Sequence, residues 1–292
     1  MDRLLSMTVF RRVAELHSFS AAARDLGLSN AAVSKHVATL EERLQARLLH
    51  RTTRKVSLTS AGAAYLARCA RILDDVDELD QAVAQTTEPR GLLRVNVPAA
   101  FGVIHLAPML PALLAAHPEL SLDVSFTDRF VDLVEEGVDV VIRIARELPD
   151  SATFVGHRLV RSEHVVVASP RYLAAHGTPK RTADLAKHAC IVYGGGPGAW
   201  FDVPVSGRLR VDNSLAIRDA LLAGAGIAMM PRFYVDELIR TKQVTQVLAT
   251  APSSPIWIHA VYPRQRHLST KIRVFIEGVR AHLARQPWAR ER

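Results

Sequence analysis

Cysteine is scarce in this chain: Cys69 and Cys190 are the only two among 292 residues, and they lie far apart in the sequence. Two such positions cannot form the disulfide framework of a small secreted protein, which favours a reducing cytosol and a packing role for both thiols. No amino-terminal signal is recognisable, and no apolar run approaches the ~20 residues of a membrane-spanning helix. These absences predict a soluble, cytoplasmic protein with no membrane partner.

Motifs of enzymes and cofactor-binding proteins are also missing. The glycines of residues 194–199 have the spacing of a dinucleotide loop, but Pro197 and the residues after it do not begin a helix, and no phosphate-loop lysine follows. No serine lies in a nucleophile-elbow pattern. None of the twelve histidines has the paired helical spacing of a hydrolytic zinc site, and His188 with Cys190 is an isolated pair. We therefore expect no enzymatic activity, no metal and no cofactor.

Positive charge is concentrated near the amino terminus. Residues 1–73 hold 12 Lys and Arg against 5 Asp and Glu, so seven of the eight excess positive charges lie there. Such a local surplus is typical of a nucleic-acid-binding surface, although a solvated basic face with no partner has the same composition. Apolar residues make up 49% of the chain, enough for packed cores in two or three compact units.

Residues 18–44 have the pattern of two short successive helices. Ser18 is a favourable start for the first helix, and Gly27 ends it. Ser29 caps a second helix predicted from about Asn30 to Leu44, whose apolar residues recur at spacings of three and four and face a core. These apolar residues are Val33, Val37, Leu40 and Leu44.

The opposite face of the second helix stays polar near its start, where a recognition helix places base-reading and phosphate-binding groups. The candidate DNA-binding residues there are Ser29, Asn30, Ala31, Ser34 and Lys35. A short basic loop follows between two apolar segments, the pattern of a wing laid along a phosphate backbone. It carries Arg51, Arg54 and Lys55. Helix pair and wing together predict binding to double-stranded DNA.

The segments SFSAAARDLGLSNAAVSKHVATLEERL and LLHRTTRKVSLTSAG of this region resemble the amino-terminal signature of the LysR-type transcriptional regulators. Further matches follow in the order of that family's effector domain, among them VPAAFG, DRFVDLVEEGVDVVIR and GAGIAMMPRF. Two residues depart from the family pattern: His17 stands where Gly is usual, and Asn30 where Gln is common. The shorter amide of Asn can still pair with adenine, which bears on the operator bases preferred. The resemblance implies a transcriptional regulator that binds a promoter or operator, and RNA polymerase if it activates.

From residue 60 the sequence predicts one long helix of roughly 25 residues, about 37 Å in length. Its apolar stripe is narrow and steps by three and four between acidic residues, which indicates a seam between two helices. The stripe comprises Leu66, Cys69, Leu73, Val76, Leu79 and Val83. Packing of this helix on its own domain is the alternative. The resemblance implies that the linker helix forms a homodimer and that two dimers assemble into a homotetramer.

Beyond a proline and glycine break at residues 88–91, strand and helix patterns alternate twice, as in a parallel doubly wound sheet. The resemblance implies a clamshell with a periplasmic-binding-protein-like fold. The predicted class is α/β, with an N-terminal winged helix-turn-helix, a long linker helix and a two-lobed effector domain. The predicted boundaries are 1–59 for the winged helix-turn-helix, 60–87 for the linker and 88–292 for the effector domain, with lobe 1 at about 91–162 and 267–292 and lobe 2 at about 163–266.

Ligands of such sheets bind outside the carboxyl ends of the strands, so the residues after each predicted strand are candidates. Backbone N–H groups at the helix start after the first strand suit an anion, and arginines nearby could pair with a carboxylate, although solvated surface arginines are commoner. We expect a small anionic effector, such as a carboxylate, between the lobes. The candidate effector-binding residues are Ala99, Ala100, Phe101, Thr127, Asp128, Arg129, Arg146, Gly196, Trp200 and Asn213.

Two other functions fit parts of the pattern. One is a cytosolic solute-binding or enzymatic clamshell that uses its amino-terminal domain only for assembly. The other is a non-specific nucleoid protein that binds duplex DNA of any sequence. The dependence of DNA affinity on salt and on sequence separates both from a regulator.

Overall fold

The computed structural model describes residues 2–51, 56–84, 88–129, 133, 136–194, 199–253, 255–264 and 269–290. It divides the chain into two compact units, Met1–Thr87 and Glu88–Arg292. The predicted linker helix lies in the first unit, and the predicted effector domain corresponds to the second.

The first unit is a helix-turn-helix with a short hairpin and a long final helix. Its elements are α1 (Arg3–Leu16), α2 (Phe19–Asp25), α3 (Asn30–Leu44), β1 (Leu49–Arg51), β2 (Val56–Leu58) and α4 (Ser60–Ala84). The apolar faces of α1, α2 and α3 meet in one core, which includes Phe10, Ala22 and Val37. The spacing of the apolar residues therefore predicted both the helices and the faces that they bury.

Local hydrogen bonds explain where α2 and α3 begin. The Ser18 hydroxyl accepts a hydrogen bond from the N–H of Ala21 at 3.2 Å, and the Ser29 hydroxyl accepts one from Ala32 at 3.1 Å. The turn before α2 depends on His17, which ends α1 with φ of 50°. A side chain with a Cβ is strained in this left-handed region, which is the physical reason for a glycine at this position.

Helix α4 packs partly on its own unit, so the prediction of one continuous intermolecular seam is wrong for its first half. Cys69 and Leu73 are buried in the core of the first unit, and Leu66 packs against that core. Farther along the helix, Leu79 of the same stripe is 65% exposed, and Ile72, on a neighbouring face, is 46% exposed. The alternative prediction, in which the helix packs on its own domain, is therefore confirmed for Leu66, Cys69 and Leu73.

The second unit is built on strands and helices in alternation, with an irregular helical run after its first strand. Its strands are β3 (Gly91–Val97), β4 (Leu120–Phe126), β5 (Val140–Ala145), β6 (Phe154–Ala168), β7 (Cys190–Tyr193), β8 (Ala199–Trp200), β9 (Val203–Pro204), β10 (Leu209–Val211), β11 (Ile227–Pro231), β12 (Thr245–Val247) and β13 (Pro255–Pro263). Its α-helices are α5 (Ala99–Phe101), α6 (Leu110–Ala116), α7 (Pro170–His176), α8 (Ser214–Leu222), α9 (Arg232–Arg240), α10 (Thr270–Ala284) and α11 (Pro287–Arg290). A helix predicted over residues 129–137 lies mostly outside the described residues.

Nine strands form a mixed sheet in the order β10-β7-β11-β6-β13-β5-β3-β4, with β12 also paired to β6. The predicted α/β class is confirmed, but the expectation of a parallel sheet is wrong for the central strands. Strands β3, β4 and β5 are parallel, as are β7, β10 and β11. Strands β6 and β13 run antiparallel to their neighbours, because they carry the chain from one lobe to the other and back.

The two lobes share β6. Its residues up to Glu163 pair with β13, and those from His164 pair with β11. We call the part around β3, β4, β5 and β13 the first lobe and the part around β7, β10 and β11 the second lobe. The predicted second lobe extended to residue 266, whereas β13 is paired with β5 in the first lobe.

The run from Ala99 to Ala116 is long and apolar enough, by length and composition, to cross a membrane, with a mean hydropathy of 1.8. The expectation that no such run exists therefore needs correction. A core helix of a globular unit passes the same test, and this run consists of α5, a π-helical turn at Gly102–Leu106, a 3-10 turn at Ala107–Met109 and α6. Phe101 and Leu106 are buried in the core of the second unit.

Candidate DNA-reading face and ligand cavity

One face of α3 is accessible from its first residue to its second turn. Asn30, Ala31 and Lys35 are exposed and Ser34 is half-buried, whereas Val33 and Val37 on the other face are fully buried. Ser29 is exposed too, but its hydroxyl oxygen caps the helix. The amide, hydroxyl and ammonium groups are thus presented to solvent by a helix whose other side is fixed in the core.

A buried carboxylate ties α3 to the hairpin that follows. Glu41 Oε1 accepts hydrogen bonds from the backbone N–H groups of Leu48 at 2.8 Å and Leu49 at 3.2 Å. Its Oε2 lies 3.3 Å from the guanidinium of Arg47. Because Leu49 begins β1, these bonds fix the start of the hairpin relative to the helix. The side chain of Arg51 and all of Arg54 and Lys55 lie outside the described residues.

A second contact orients α2 on α1. Arg12 donates two hydrogen bonds to the carboxylate of Asp25, from Nε at 2.6 Å and from Nη2 at 2.7 Å. This bidentate geometry fixes direction as well as distance. The hydrogen bonds lower the pKa of Asp25. The angle between α1 and α2 is therefore fixed in part by polar groups on the surface.

The second unit contains a cavity of about 770 Å³ between its two lobes. It lies at the carboxyl ends of strands: Pro98 follows β3, Thr127 follows β4, Arg146 follows β5, and Tyr193 ends β7. Side chains of α8 and α9 complete the wall. This volume falls in the range of pockets that enclose small molecules.

Among the described residues, the charged side chains that line the cavity, Asp128, Arg129, Arg143 and Arg146, all lie on the first lobe. Arg129 donates a hydrogen bond from Nη1 to Glu136 at 3.0 Å, and Asp128 accepts one from the N–H of Ala99 at 3.2 Å. Burial lowers the pKa of His164, so this imidazole is predominantly neutral at pH 7. The pKa of Tyr234 is raised, first by burial and then by the charge of Asp128, so its phenol stays protonated.

Comparisons with known proteins agree for both units. Residues 4–63 match the family model described as bacterial regulatory helix-turn-helix protein, lysR family. Residues 86–284 match the LysR substrate binding domain. The chain belongs to the LysR family of transcriptional regulators. The predicted resemblance is confirmed.

Relatives in this LysR family align over nearly the whole chain. An HTH-type transcriptional regulator of Haemophilus influenzae is 35% identical, with 93% of this chain and 98% of the relative covered. The HTH-type transcriptional activator AaeR of Escherichia coli is 33% identical over 96% of this chain and 93% of its own length. The solved structure of CrgA, a LysR-type transcriptional regulator from Neisseria meningitidis, is 32% identical, covers 96% of this chain and 98% of its own, and has a TM-score of 0.61.

The structure brings half of the candidate effector residues of this LysR-family chain into the cavity. Those that line it are Thr127, Asp128, Arg129, Arg146 and Trp200. Ala99, Ala100 and Phe101 are absent from the described lining, because the side chains of Ala100 and Phe101 point into the core and the N–H of Ala99 is bonded to Asp128. Asn213 caps α8 through its amide oxygen instead. Gly196 lies outside the described residues.

Sequence reasoning missed several residues that line the cavity. They include Arg143, His164, Tyr193, Met229 and Tyr234. For Arg143 a signal was available, because it is the one charged residue within the apolar strand VVIRIA. The other four residues lie within strands or helices. The principle that ligands bind beyond the carboxyl ends of strands points only to residues after each strand, so it does not indicate these four.

Metal ligands show no clustering in the part of the chain that the structure describes. No group of three or more His, Cys, Asp and Glu side chains there is close enough to hold a metal ion. Both thiols are buried, and burial raises the pKa of Cys69 and of Cys190 to about 11. At neutral pH neither is a thiolate, which is consistent with packing roles.

Proposed function

We propose that the chain is a sequence-specific DNA-binding transcriptional regulator that responds to a small anionic effector bound between the lobes of its second unit. The exposed polar face at the start of α3 carries this proposal. Asn30, Ser34 and Lys35 share that face on a helix-turn-helix of a LysR-family chain. In this arrangement Asn30 and Ser34 contact base edges, while Lys35 and the N-terminus of α3, with Ser29 and Ala31, approach phosphates.

The wing extends the contact along the backbone of the DNA. Arg51, Arg54 and Lys55 supply three cations at the hairpin. The buried carboxylate of Glu41 holds the start of this hairpin against α3, which supports a common DNA-binding surface for helix and wing. We propose that the helix and the wing bind adjacent phosphates. We also propose that the protein acts in the cytoplasm.

Regulation through the spacing of two DNA-binding units requires at least a dimer. The exposed apolar residues Ile72 and Leu79 of α4 support pairing of two linker helices, and the family resemblance supports a dimer of dimers. An effector that favours one angle between the lobes shifts the spacing of the DNA-binding units. Typical coupling free energies for such a shift are about 1–3 kcal/mol. Activation through RNA polymerase and repression are both compatible with this arrangement.

The decisive experiment measures the affinity of the full-length protein for the DNA upstream of its own gene as a function of salt. If about six phosphates are contacted, log K should fall against log salt with a slope near −5. Lys35→Ala should weaken binding and make the slope shallower by about 0.9. Lys180→Ala, which removes an exposed lysine from the second unit, is the matched control. A flat slope would favour a solute-binding or enzymatic clamshell, and equal affinity for random duplex would favour a nucleoid protein.

A further inference from the structure

A buried hydrogen bond joins α3, the helix that carries the candidate DNA-binding residues, to α1. His36 follows Lys35 on α3 and is 9% exposed, and Ser6 on α1 is 4% exposed. The Nδ1 atom of His36 lies 3.0 Å from the hydroxyl oxygen of Ser6. Two polar side chains are therefore buried against each other in a unit whose core is otherwise built from apolar residues such as Phe10 and Val37.

The hydroxyl of Ser6 determines which of the two groups donates the hydrogen bond. Its oxygen also lies 2.9 Å from the backbone carbonyl of Asp2 at the start of α1, and a carbonyl can only accept. If the single hydroxyl hydrogen goes to Asp2, the oxygen of Ser6 accepts a hydrogen from His36 Nδ1, and both hydrogen bonds form. If the hydroxyl donated to His36 instead, only one of the two would form. The arrangement with both bonds requires a hydrogen on Nδ1 of His36.

This hydrogen bond constrains α3 in a way that apolar packing does not. Contacts of Val33 and Val37 with the core are non-directional and restrict rotation of the helix about its axis only through shape. A hydrogen bond weakens steeply as its angle departs from linearity. Because Ser6 is itself bonded to Asp2, its oxygen is a fixed acceptor. The bond from His36 therefore sets the rotation of α3 relative to α1.

A small rotation of α3 has a large effect on its exposed face, where Asn30 lies. A helix with its side chains has a radius of about 5–6 Å, so a rotation of about 10° moves a polar group at that radius by about 1 Å. A shift of this size stretches a hydrogen bond from about 2.9 Å to a length at which it no longer counts as one. His36 lies about 9 Å along the axis from Asn30, at 1.5 Å per residue, whereas Glu41 lies about 7.5 Å farther on. The contact of His36 is therefore nearer to the base-reading end of the helix than the contact of Glu41 with the hairpin.

We propose that His36 is a positioning residue for DNA recognition, and that its bond to Ser6 fixes the rotation of α3 at which Asn30 and Ser34 reach base edges. This inference rests on the proposed function, in which α3 reads duplex DNA. It concerns the reading of bases, because attraction between lysine or arginine side chains and phosphates depends on charge and much less on alignment. Loss of the bond should lower the affinity for specific DNA and leave the affinity for other duplexes unchanged.

The test compares two DNA affinities of the full-length protein, one for the duplex upstream of its own gene and one for a shuffled duplex of the same length and composition. We call the first affinity divided by the second the specificity ratio. His36→Leu removes the donor and keeps an apolar side chain in the core. The specificity ratio should fall about tenfold, as for one weakened base contact, while the salt dependence of binding to the shuffled duplex stays the same. An unchanged specificity ratio in folded His36→Leu overturns the proposal.

Further variants separate positioning from a general loss of stability. Ser6→Ala should lower the specificity ratio about as much as His36→Leu, and the double variant should be no worse than either single variant, because all three lack the same bond. His36→Asn keeps an N–H donor on a short side chain and should recover most of the ratio. If His36→Leu fails to fold, Ser6→Ala decides the question, and an unchanged ratio in that variant contradicts the positioning role.

Cys69→Ala is the matched control, because Cys69 is buried in the same core but lies on α4. It should lower the free energy of unfolding and leave the specificity ratio unchanged. A fall of the ratio in Cys69→Ala as large as that in His36→Leu would mean that the ratio follows stability, and the positioning role of His36 would be rejected.

Failure of this inference differs from failure of the proposed function. If the unaltered protein binds the upstream duplex no better than the shuffled one, the proposed function fails and the inference fails with it. If the unaltered protein prefers the upstream duplex and both His36→Leu and Ser6→Ala retain that preference, the regulator function stands and only the positioning role is lost.

Discussion

A histidine buried in the second unit, His105, should make the free energy of unfolding of this unit decrease in mild acid. His105 lies in the π-helical turn, and its Nε2–H donates a hydrogen bond to the carbonyl of Phe233 at 2.9 Å. Its ring contacts Phe101, Phe233 and Trp288, with centroids 5.2 to 5.8 Å apart. Burial in this aromatic cluster lowers the pKa of His105 from 6.5 to about 4, against the opposing effect of the hydrogen bond.

The lowered pKa of His105 sets both the sign and the size of the change in the free energy of unfolding with pH. Because the pKa in the folded state lies below that in the unfolded state, the unfolded chain takes up the proton first as the pH falls. The contribution of His105 to the free energy of unfolding is therefore present above pH 6.5 and is lost as the pH falls toward 4. Between pH 7 and pH 5 the loss is about 2 kcal/mol.

The assay is urea unfolding followed by tryptophan fluorescence at pH 7, 6 and 5. Trp200, Trp257 and Trp288 all lie in the second unit, so the signal reports that unit alone. His105→Phe keeps a ring in the cluster and removes the titration, at a constant cost for the unpaired carbonyl of about 1–3 kcal/mol. Between pH 7 and pH 5 the free energy of unfolding of the variant should fall by about 2 kcal/mol less than that of the unaltered protein. His50→Gln, at an exposed position of the first unit, which holds no tryptophan, should follow the unaltered protein. Equal pH slopes in His105→Phe and the unaltered protein would refute the reasoning.

Three further substitutions test the first unit. Glu41→Ala removes the acceptor of two backbone N–H groups and should lower the free energy of unfolding by about 2–4 kcal/mol in urea. It should also speed amide exchange at Leu48, whereas Glu42→Ala at an exposed neighbour should do neither; equal exchange in both variants rejects the anchoring role. His17→Gly relieves a positive φ and should raise the unfolding free energy by about 1 kcal/mol, so any loss of stability contradicts the strain argument. Leu79→Arg places a charge at a 65% exposed apolar position and should lower the sedimented mass, and an unchanged mass would remove this residue from the dimer seam.

Sequence patterns predicted the order of elements better than their directions. The alternation of strands and helices from β3 onward appears in the structure, and so does the cap at Ser29. The antiparallel course of β13 was missed, because it depends on pairs such as Val261 with Gly156, more than one hundred residues apart. Short-range periodicity carries no information on such pairings.

In the candidate sites, too, sequence spacing does not identify what a side chain packs against. Cys69 and Leu73 have the spacing of a helix seam, and that spacing is identical whether the partner is α1 of the same chain or a second copy. Arg143 stands in a strand whose alternation assigns it a side but does not say that this side encloses a cavity. The ring of residues around the cavity comes from both lobes, and only the folded chain brings them together.

An inserted residue should be tolerated less well in the shared strand β6 than in a loop. Side chains alternate sides along a strand, so one extra residue between Glu163 and His164 would exchange the inward and outward sets for everything beyond it. Val165 and Val167, now in the main core, would trade places with Val166 and Ala168, which pack in a separate cluster. Insertions and deletions should therefore be tolerated elsewhere in the second unit, whereas the length of this crossing should stay fixed.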